Sequence, residues 1–242
     1  MQSLQSKHQG LKPIDLAYET HYKEKNSDRH IYAVEWVVRV FLGSYPLLKM
    51  DQNLYPGSRI LDLGFGDGRN FPLLKNLGFT ISGVEIAESI LDVAREKFSR
   101  LGIPVDLSLG RNSHTLFEDK SFDYLLACHA LYYVDHRETF TNNLDEIARI
   151  VKPGGFLIAS LPRTTGSILK GAKPLPAAGH VEITNDPLKL RNGSIFRVFE
   201  SEVDIEKTFS PYFENFIIGS CDDNYFGTEQ HVWILVCRRS ND

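Results

Sequence analysis

Apolar positions in this chain alternate between two patterns. Short apolar runs cover Arg59–Leu63, Thr80–Glu85, Val105–Leu109, Phe122–Cys128 and Phe156–Leu161, the length and character of buried strands. Between them lie stretches with helical spacing. Arg69–Leu77 carries Phe71, Leu74 and Leu77 on one side. Ala87–Leu101 places Ile90, Leu91, Ala94 and Phe98 on one face and Arg95, Lys97 and Arg100 off it. Glu138–Val151 turns Leu144, Ile147 and Ile150 inward, and Lys152-Pro153-Gly154-Gly155 ends it. Pro153-Gly154 is a type II turn signature. Strands alternating with helices predict right-handed βαβ units and a parallel sheet covered on both faces. A ligand is then expected outside the carboxyl ends of the strands, where strand order reverses.

Three regions depart from the alternation. Residues 11–50 read as helices ahead of the sheet, with Val34, Val37, Val38 and Phe41 on one face. Residues 162–205 are rich in proline and glycine, with short strands expected around Asn192-Gly193, a strong hairpin signal. Phe216–Ser220 and His231–Cys237 read as two strands that close the sheet with an antiparallel edge. The expectation is one α/β domain over residues 1–242. It divides into a helical cap (1–50), a core (51–161), a lid inserted after the fifth strand (162–205) and closing strands (206–242).

Composition narrows the setting. A net charge of −4 leaves no global basic field for nucleic acid. Cys128, Cys221 and Cys237 form no CxxC pair, so neither zinc nor a disulfide framework is expected. The first residues lack the apolar core of a signal peptide, and no apolar run approaches the ~20 residues of a membrane span. A cytoplasmic protein that is a monomer or homodimer, with no membrane or nucleic-acid partner, is expected.

The loop after the first strand carries the most chemistry. Glycines let backbone amides approach a ligand and permit positive φ. A dinucleotide loop reads G-x-G-x-x-G. After Gly64 and Gly66 the third glycine of that pattern falls on Arg69. The chain instead reads D-x-G-x-G-x-G over Asp62–Gly68. A carboxylate at Asp62 repels a pyrophosphate but attracts the cationic end of S-adenosylmethionine. Glu85, which closes the second strand, is placed to accept both ribose hydroxyls.

These residues resemble the class I S-adenosylmethionine-dependent methyltransferases. Ile60–Gly68 looks like the first motif, Gly83-Val84-Glu85-Ile86 the second, Leu116–Tyr124 the segment entering the fourth strand, and Val151–Leu157 the turn before the fifth. The resemblance implies a doubly wound, Rossmann-like, seven-stranded, mostly parallel sheet with one antiparallel strand near the edge. It implies that Asp62, Gly64 and Gly66 meet the methionine end of the cofactor and Glu85 its ribose. Phe65, in the same loop, is read as packing beside it, and Ile86 suits the adenine face. The family often has Gly-Asp after the third strand; here Gly110-Arg111-Asn112 makes Asn112 the substitute at the adenine. Cys128 sits by the donor at the end of the fourth strand. The product is S-adenosylhomocysteine.

The acceptor side is read from residues at the same end. His129 is the candidate general base, with Tyr132 beside it, because histidine titrates near neutrality. Tyr133 lines the acceptor site. Within 163–197, six basic residues (Arg163, Lys170, Lys173, Lys189, Arg191 and Arg197) face only two acidic ones (Glu182 and Asp186), reversing the sign of the whole chain. A small, polar, anionic acceptor is therefore expected, held by Arg163, Arg191, Arg197 and His180. His231 is a further candidate. Tyr18, Tyr22, Tyr32 and Arg39 are expected to close over the methionine portion. A protein or RNA acceptor, and a non-catalytic binding protein, are the other readings.

Overall fold

A computed structural model describes residues 16–18, 20–21, 31–48 and 50–241. In chain order the elements are α1 (Glu35–Leu42), β1 (Arg59–Leu63), α2 (Phe71–Asn76), β2 (Thr80–Glu85), α3 (Glu88–Arg100), β3 (Val105–Leu109), β4 (Phe122–Ala127), β5 (Tyr133–Val134), α4 (Phe140–Ile150), β6 (Val151–Pro162), β7 (Lys173–Pro174), β8 (His180–Glu182), β9 (Ile195–Arg197), α5 (Glu202–Phe209), β10 (Phe213–Tyr225) and β11 (Thr228–Arg239). Residues 16–18 and 20–21 are also helical. No helix among the described residues is long and apolar enough to cross a membrane.

Seven strands form one sheet in the order β10-β11-β6-β4-β1-β2-β3. β1 pairs in parallel with β2 on one side and β4 on the other, and β4 pairs in parallel with β6. β11 runs antiparallel to both neighbours, the expected reversed strand near the edge. Order therefore reverses between β1 and β4, and their carboxyl ends bring Asp62 beside Leu126. Alternate residues of β1 feed opposite cores. Leu61 and Leu63 join Leu125, Leu144, Ile147 and Phe209, whereas Ile60 joins Phe41, Phe71, Ile90 and Phe98. Both faces are thus covered, as near-continuous apolar strands require.

Several details differ from the sequence pattern. The buried stripe of α1 is Trp36, Val37, Val40 and Phe41, so Trp36 takes the place expected for Val38. α3 buries Lys97 along with its apolar face, because its ammonium donates to the Asp67 carbonyl at 3.1 Å. α4 starts at Phe140, two residues late, behind a Thr139–Asn142 capping box. Lys152-Pro153-Gly154-Gly155 lies inside β6 as an irregularity in its pairing with β4, with Gly154 at φ +73°.

The closing strands are far longer than their apolar cores. Tyr225 pairs with Thr228 across a two-residue turn in which Phe226 and Gly227 both have positive φ, the geometry that matches strand twist. Asn192-Gly193, by contrast, closes a wider loop. Gly193 donates to Ile183 at 2.7 Å and Ile183 to Ser194 at 2.9 Å, while the Asn192 amide oxygen accepts from Asp186 at 2.8 Å. That loop belongs to a second sheet, β5-β9-β8-β7, which joins the segment after β6 to Tyr133-Val134.

Candidate active site

The loop Gly64–Gly68 leaves β1 with all three glycines in the left-handed region, at φ +65°, +61° and +68°. At Gly64 the need is doubled, since a Cβ there would sit 2.7 Å from that of Ala130. Beneath this turn lies Asp62, 1% exposed. One carboxylate oxygen accepts from the Asn70 amide at 3.3 Å; the other, Oδ1, is buried with no hydrogen-bond partner among the described residues. Burial, with Glu85 and Asp67 nearby, pushes its carboxyl up to about 8 against the Asn70 bond. Asn70 also accepts from the Val34 amide at 3.2 Å, which ties the start of α1 to the floor of the site. Asp67 is separate: burial opposes its ionisation, but Arg69 grips both its oxygens, at 2.9 and 2.7 Å, and holds it below the usual carboxylate range.

Glu85 is buried at the end of β2. Its two oxygens accept from the amides of Gly66 (2.7 Å) and Ile86 (3.0 Å), so the second strand end holds the glycine turn in place. Burial raises its carboxyl above the ordinary range despite these bonds. Each oxygen keeps a lone pair for a further donor. Phe65 is buried against Phe71, ring centroids 5.2 Å apart, and fills the space over Gly83; Ile86 is half-buried against the same core. Cys128 faces Asp62, and burial first, then that carboxylate, raises its thiol far above the ordinary value, so it is no thiolate. Asn112 directs its amide at the carbonyls of Ala130 (2.8 Å) and Tyr133 (3.1 Å). Its donors thus brace the segment after β4, and only its oxygen is left for an adenine.

His129 occupies the first turn beyond β4 with φ +57°, rare for a residue with a side chain. Its backbone N–H donates to Ser160 Oγ at 2.8 Å, and its Nδ1 lies 3.2 Å from the same oxygen. Its Nε2 faces the Gln230 amide nitrogen at 3.0 Å, and Trp36 stands edge-on to the ring at 6.4 Å. An amide NH₂ only donates, so Nε2 is the accepting nitrogen and the ring proton sits on Nδ1. Burial, then the positive fields of Arg191 and Arg69, lower the imidazole to about 4. His129 is neutral at pH 7, and with the Gln230 amide nitrogen donating, Nε2 is its accepting nitrogen.

Tyr132 and Tyr133 stack at 5.0 Å and meet Phe196 at 4.8 and 4.5 Å. The Tyr18 hydroxyl is 2.5 Å from that of Tyr133. Burial raises all three phenols. Arg191 faces them from the loop before β9 and reaches the Tyr133 hydroxyl. Its nearest carboxylate, Asp186, stands 3.4 Å away and already accepts from the amides of Leu188, Leu190 and Arg191.

The other expected cations are engaged elsewhere. Arg163 pairs with Asp222 at 2.6 Å and lies over the Trp233 ring. Arg197 is buried, bonded to Asp204 at 2.5 Å and to the Val198 carbonyl, over Phe199. Lys170 pairs with Glu229. His180 bonds the Ala178 carbonyl through Nδ1, and His231 bonds Thr165. Tyr32 is 79% exposed and Arg39 pairs with Glu35 on the surface, so neither closes over the loop; Tyr22 lies outside the described residues. The structure thus brings together Asp62, Glu85, Cys128, His129, Tyr132, Tyr133 and Arg191. It adds Asn70, Ser160 and Gln230. Asn70 carries a sequence signal, an amide two residues past the glycine pattern; Ser160 and Gln230 carry none, since only strand register brings them to His129.

Residues 61–159 match the family model of the methyltransferase domain. The ubiquinone biosynthesis O-methyltransferase of Maricaulis maris is 33% identical over 113 residues, 46% of this chain and 43% of that protein. The chain spans less than half the length of the curated relatives it matches. An S-adenosylmethionine-dependent methyltransferase of Methanosarcina mazei shares the fold, with TM-score 0.65, 16% identity, and coverage of 88% of this chain and 100% of that one. So does a [4+2]-cyclase, with TM-score 0.57, 16% identity, and coverage of 93% and 94%. Residues 61–159 are thus similar to a methyltransferase domain, and they lie in a seven-stranded Rossmann-like fold that solved S-adenosylmethionine-dependent methyltransferases share.

Proposed function

We propose that the protein transfers a methyl group from S-adenosylmethionine to a small molecule bearing an anionic group. The observation that carries the donor half is Asp62, a buried carboxylate with an oxygen that no group among the described residues satisfies. A buried polar atom of this kind costs about 1–3 kcal/mol until a donor arrives. An ammonium supplies both the donor and the charge. Gly64 and Gly66 keep side chains out of its way, and Glu85 retains acceptor capacity for hydroxyls. When bound, S-adenosylmethionine supplies an electrophilic methyl on a good leaving group.

The remaining work is alignment, exclusion of water and the fate of one proton. The acceptor's nucleophile forms the new bond to carbon as the carbon–sulfur bond breaks and sulfur keeps the electron pair. Where the acceptor is an alcohol, phenol or amine, its proton passes to His129 Nε2, once the Gln230 amide yields that position. A lowered imidazole makes a weak base, suited to a proton already made acidic by the departing charge. Tyr132, Tyr133 and Phe196 exclude water. Arg191 supports an anionic acceptor, because its own carboxylate partner is distant and shared. The segment 162–205 acts as the lid over this chamber, and the described residues ahead of β1 as its cap.

Folds do not define chemistry, as the [4+2]-cyclase among the structural neighbours illustrates. The test is therefore direct: titrate S-adenosylmethionine by calorimetry, then assay S-adenosylhomocysteine release with pooled small phenols and carboxylic acids. Binding together with acceptor-dependent release is the expected outcome. Binding without release from any acceptor supports a non-catalytic protein, and no binding overturns the proposal.

A further inference from the structure

Resting on the donor reading above, we propose that Asn112 is a positioning residue for the acceptor side. Its amide sets the backbone that carries Tyr132 and Tyr133, and occupancy of the donor site tightens that hold. The segment from His129 to Tyr133 begins in the left-handed region, at φ +57° for His129. A strained start persists only where the surroundings over-determine it. Here every carbonyl from Ala130 to Tyr133 accepts from outside the segment. Asn112 Nδ2 donates to Ala130 at 2.8 Å and to Tyr133 at 3.1 Å. Asn143 Nδ2 donates to Leu131 at 2.9 Å and to Tyr133 at 2.8 Å. The Arg197 amide donates to Tyr132 at 2.9 Å. Asn143 is buried, and its Oδ1 has no hydrogen-bond partner among the described residues. The fold thus tolerates an orphaned acceptor in order to keep two donors on these carbonyls.

The two amides reach this backbone from different places. Asn143 belongs to α4. Asn112 follows β3, which β2 and β1 separate from β4, roughly 14 Å at ordinary strand spacing. Its contact with the segment after β4 therefore lies above the carboxyl ends of β1 and β2, where the proposed donor sits. A closed ring of contacts results. Gly110 donates to the Glu85 carbonyl at 3.0 Å, and the Glu85 carboxylate accepts from Gly66 at 2.7 Å. Ala130 lies so close to Gly64 that no side chain fits between them. Asn112 closes the ring on the Ala130 carbonyl, and Arg111 beside it pairs with Asp135 at 2.9 Å. Filling this ring between Glu85 and the glycine turn fixes residues 110–114 and, through Asn112, the backbone of Tyr132 and Tyr133. Coupling of this kind is worth about five- to 150-fold. An aspartate at 112 would have no donor for a carbonyl, so the amide is what joins the two halves.

The test is amide hydrogen exchange, with S-adenosylhomocysteine as the only ligand. In the parent, saturation is expected to slow exchange across residues 130–135 by at least about fivefold. In Asn112→Ala, at saturating ligand, the glycine turn 64–68 is expected to keep its slowing and residues 130–135 to lose theirs. Asn143→Leu leaves Asn112 in place; it is expected to speed exchange at 130–135 with and without ligand and to keep the ligand response. A merely structural Asn112 would show the Asn143→Leu behaviour instead. Should Asn112→Ala not fold, Asn112→Ser retains one donor and is expected to show a reduced response. No slowing at 130–135 in the parent, or a full response in the Asn112 variant, overturns the inference. Failure of the parent to bind S-adenosylhomocysteine at all is a separate result, and it overturns the methyltransferase proposal together with what rests on it.

Discussion

Replacing Asp62 by asparagine is expected to stabilise the free protein and to cripple binding of S-adenosylmethionine. The free carboxyl stands at about 8 against 3.8 in an ordinary setting. A raised carboxyl contributes stability that is full below 3.8 and is lost as pH rises toward 8, because only the unfolded chain gives up its proton there. At pH 7 the deficit has a ceiling of about 4 kcal/mol, at about 1.4 kcal/mol per pH unit. Asparagine keeps the shape and has nothing to ionise, so roughly half that ceiling is expected as a gain, since its amide also needs partners. For a chain of this size each kcal/mol moves the midpoint by about 2–4 °C.

His129 supplies the control. Its imidazole is lowered from 6.5 to about 4, so it costs stability as pH falls through that window. Between pH 4 and 6.5 the two groups therefore oppose each other by one proton, and above 6.5 only Asp62 has a slope. Urea titrations from about pH 4 to 8 should find the Asp62→Asn gain widening with pH and nearly absent at the acid end. In the parent, ionising Asp62 on ligand binding releases a proton below pH 8. Affinity should thus rise about tenfold per unit from about pH 5.5 to 7.5, a slope the variant lacks. A variant that is no more stable at pH 7, or that binds S-adenosylmethionine as the parent does, refutes the reasoning.

Three other perturbations follow. Gly64→Ala places a methyl 2.7 Å from Ala130 Cβ at φ +65°, and a loss of about 1–3 kcal/mol in urea unfolding is expected; a neutral result removes the steric account of the turn. His129→Gln should slow S-adenosylhomocysteine release by about 10²–10⁴ with an acceptor that loses a proton, and leave cofactor affinity within about twofold. Its acid unfolding should also lose the step between 6.5 and 4. Arg191→Gln should raise KM for a carboxylate acceptor by about tenfold with little change for its neutral amide, a split that steady-state assays read directly.

The alternating pattern places β1 and β2 at their observed bounds and β4 within one residue because these strands are buried on both faces, where hydrophobicity and strand length leave little choice; β3 also lies at its expected bounds though it is half-exposed, while β6 begins at Val151, five residues ahead of its apolar run. The closing hairpin was shorter in the pattern than in the molecule. β10 is half-exposed along its length, and its polar residues Asp222, Asp223 and Asn224 pair with His231, Gln230 and Glu229 through backbone bonds that side-chain character does not report. Its turn uses Phe226-Gly227, with positive φ at both positions, which carries no Asn-Gly signal. The Asn-Gly that is present closes a loop because Asp186 collects three amides inside it and holds the connection wide. Lys97 was assigned to the solvent face by its charge, yet a long apolar stem and one carbonyl partner suffice to bury it.

The donor half of the site was legible for a different reason than the acceptor half was not. Asp62, Gly64, Gly66 and Glu85 sit at fixed offsets from strand ends, so spacing alone brings them together. The acceptor half is assembled by strands distant in sequence: Ser160 from β6, Gln230 from β11 and Tyr18 from the amino-terminal helix meet residues 129–133. A charge count over 163–197 marks the segment as cationic, but it weights six cations equally. Only the partners discriminate. Arg163 and Arg197 each have a carboxylate within 2.6 Å and an aromatic face, so their charge is spent in the fold. Arg191 has a carboxylate at 3.4 Å that three backbone amides share, and so keeps a field that reaches both Tyr133 and His129. A cation left half-compensated among phenols is the one that an incoming anion can still stabilise.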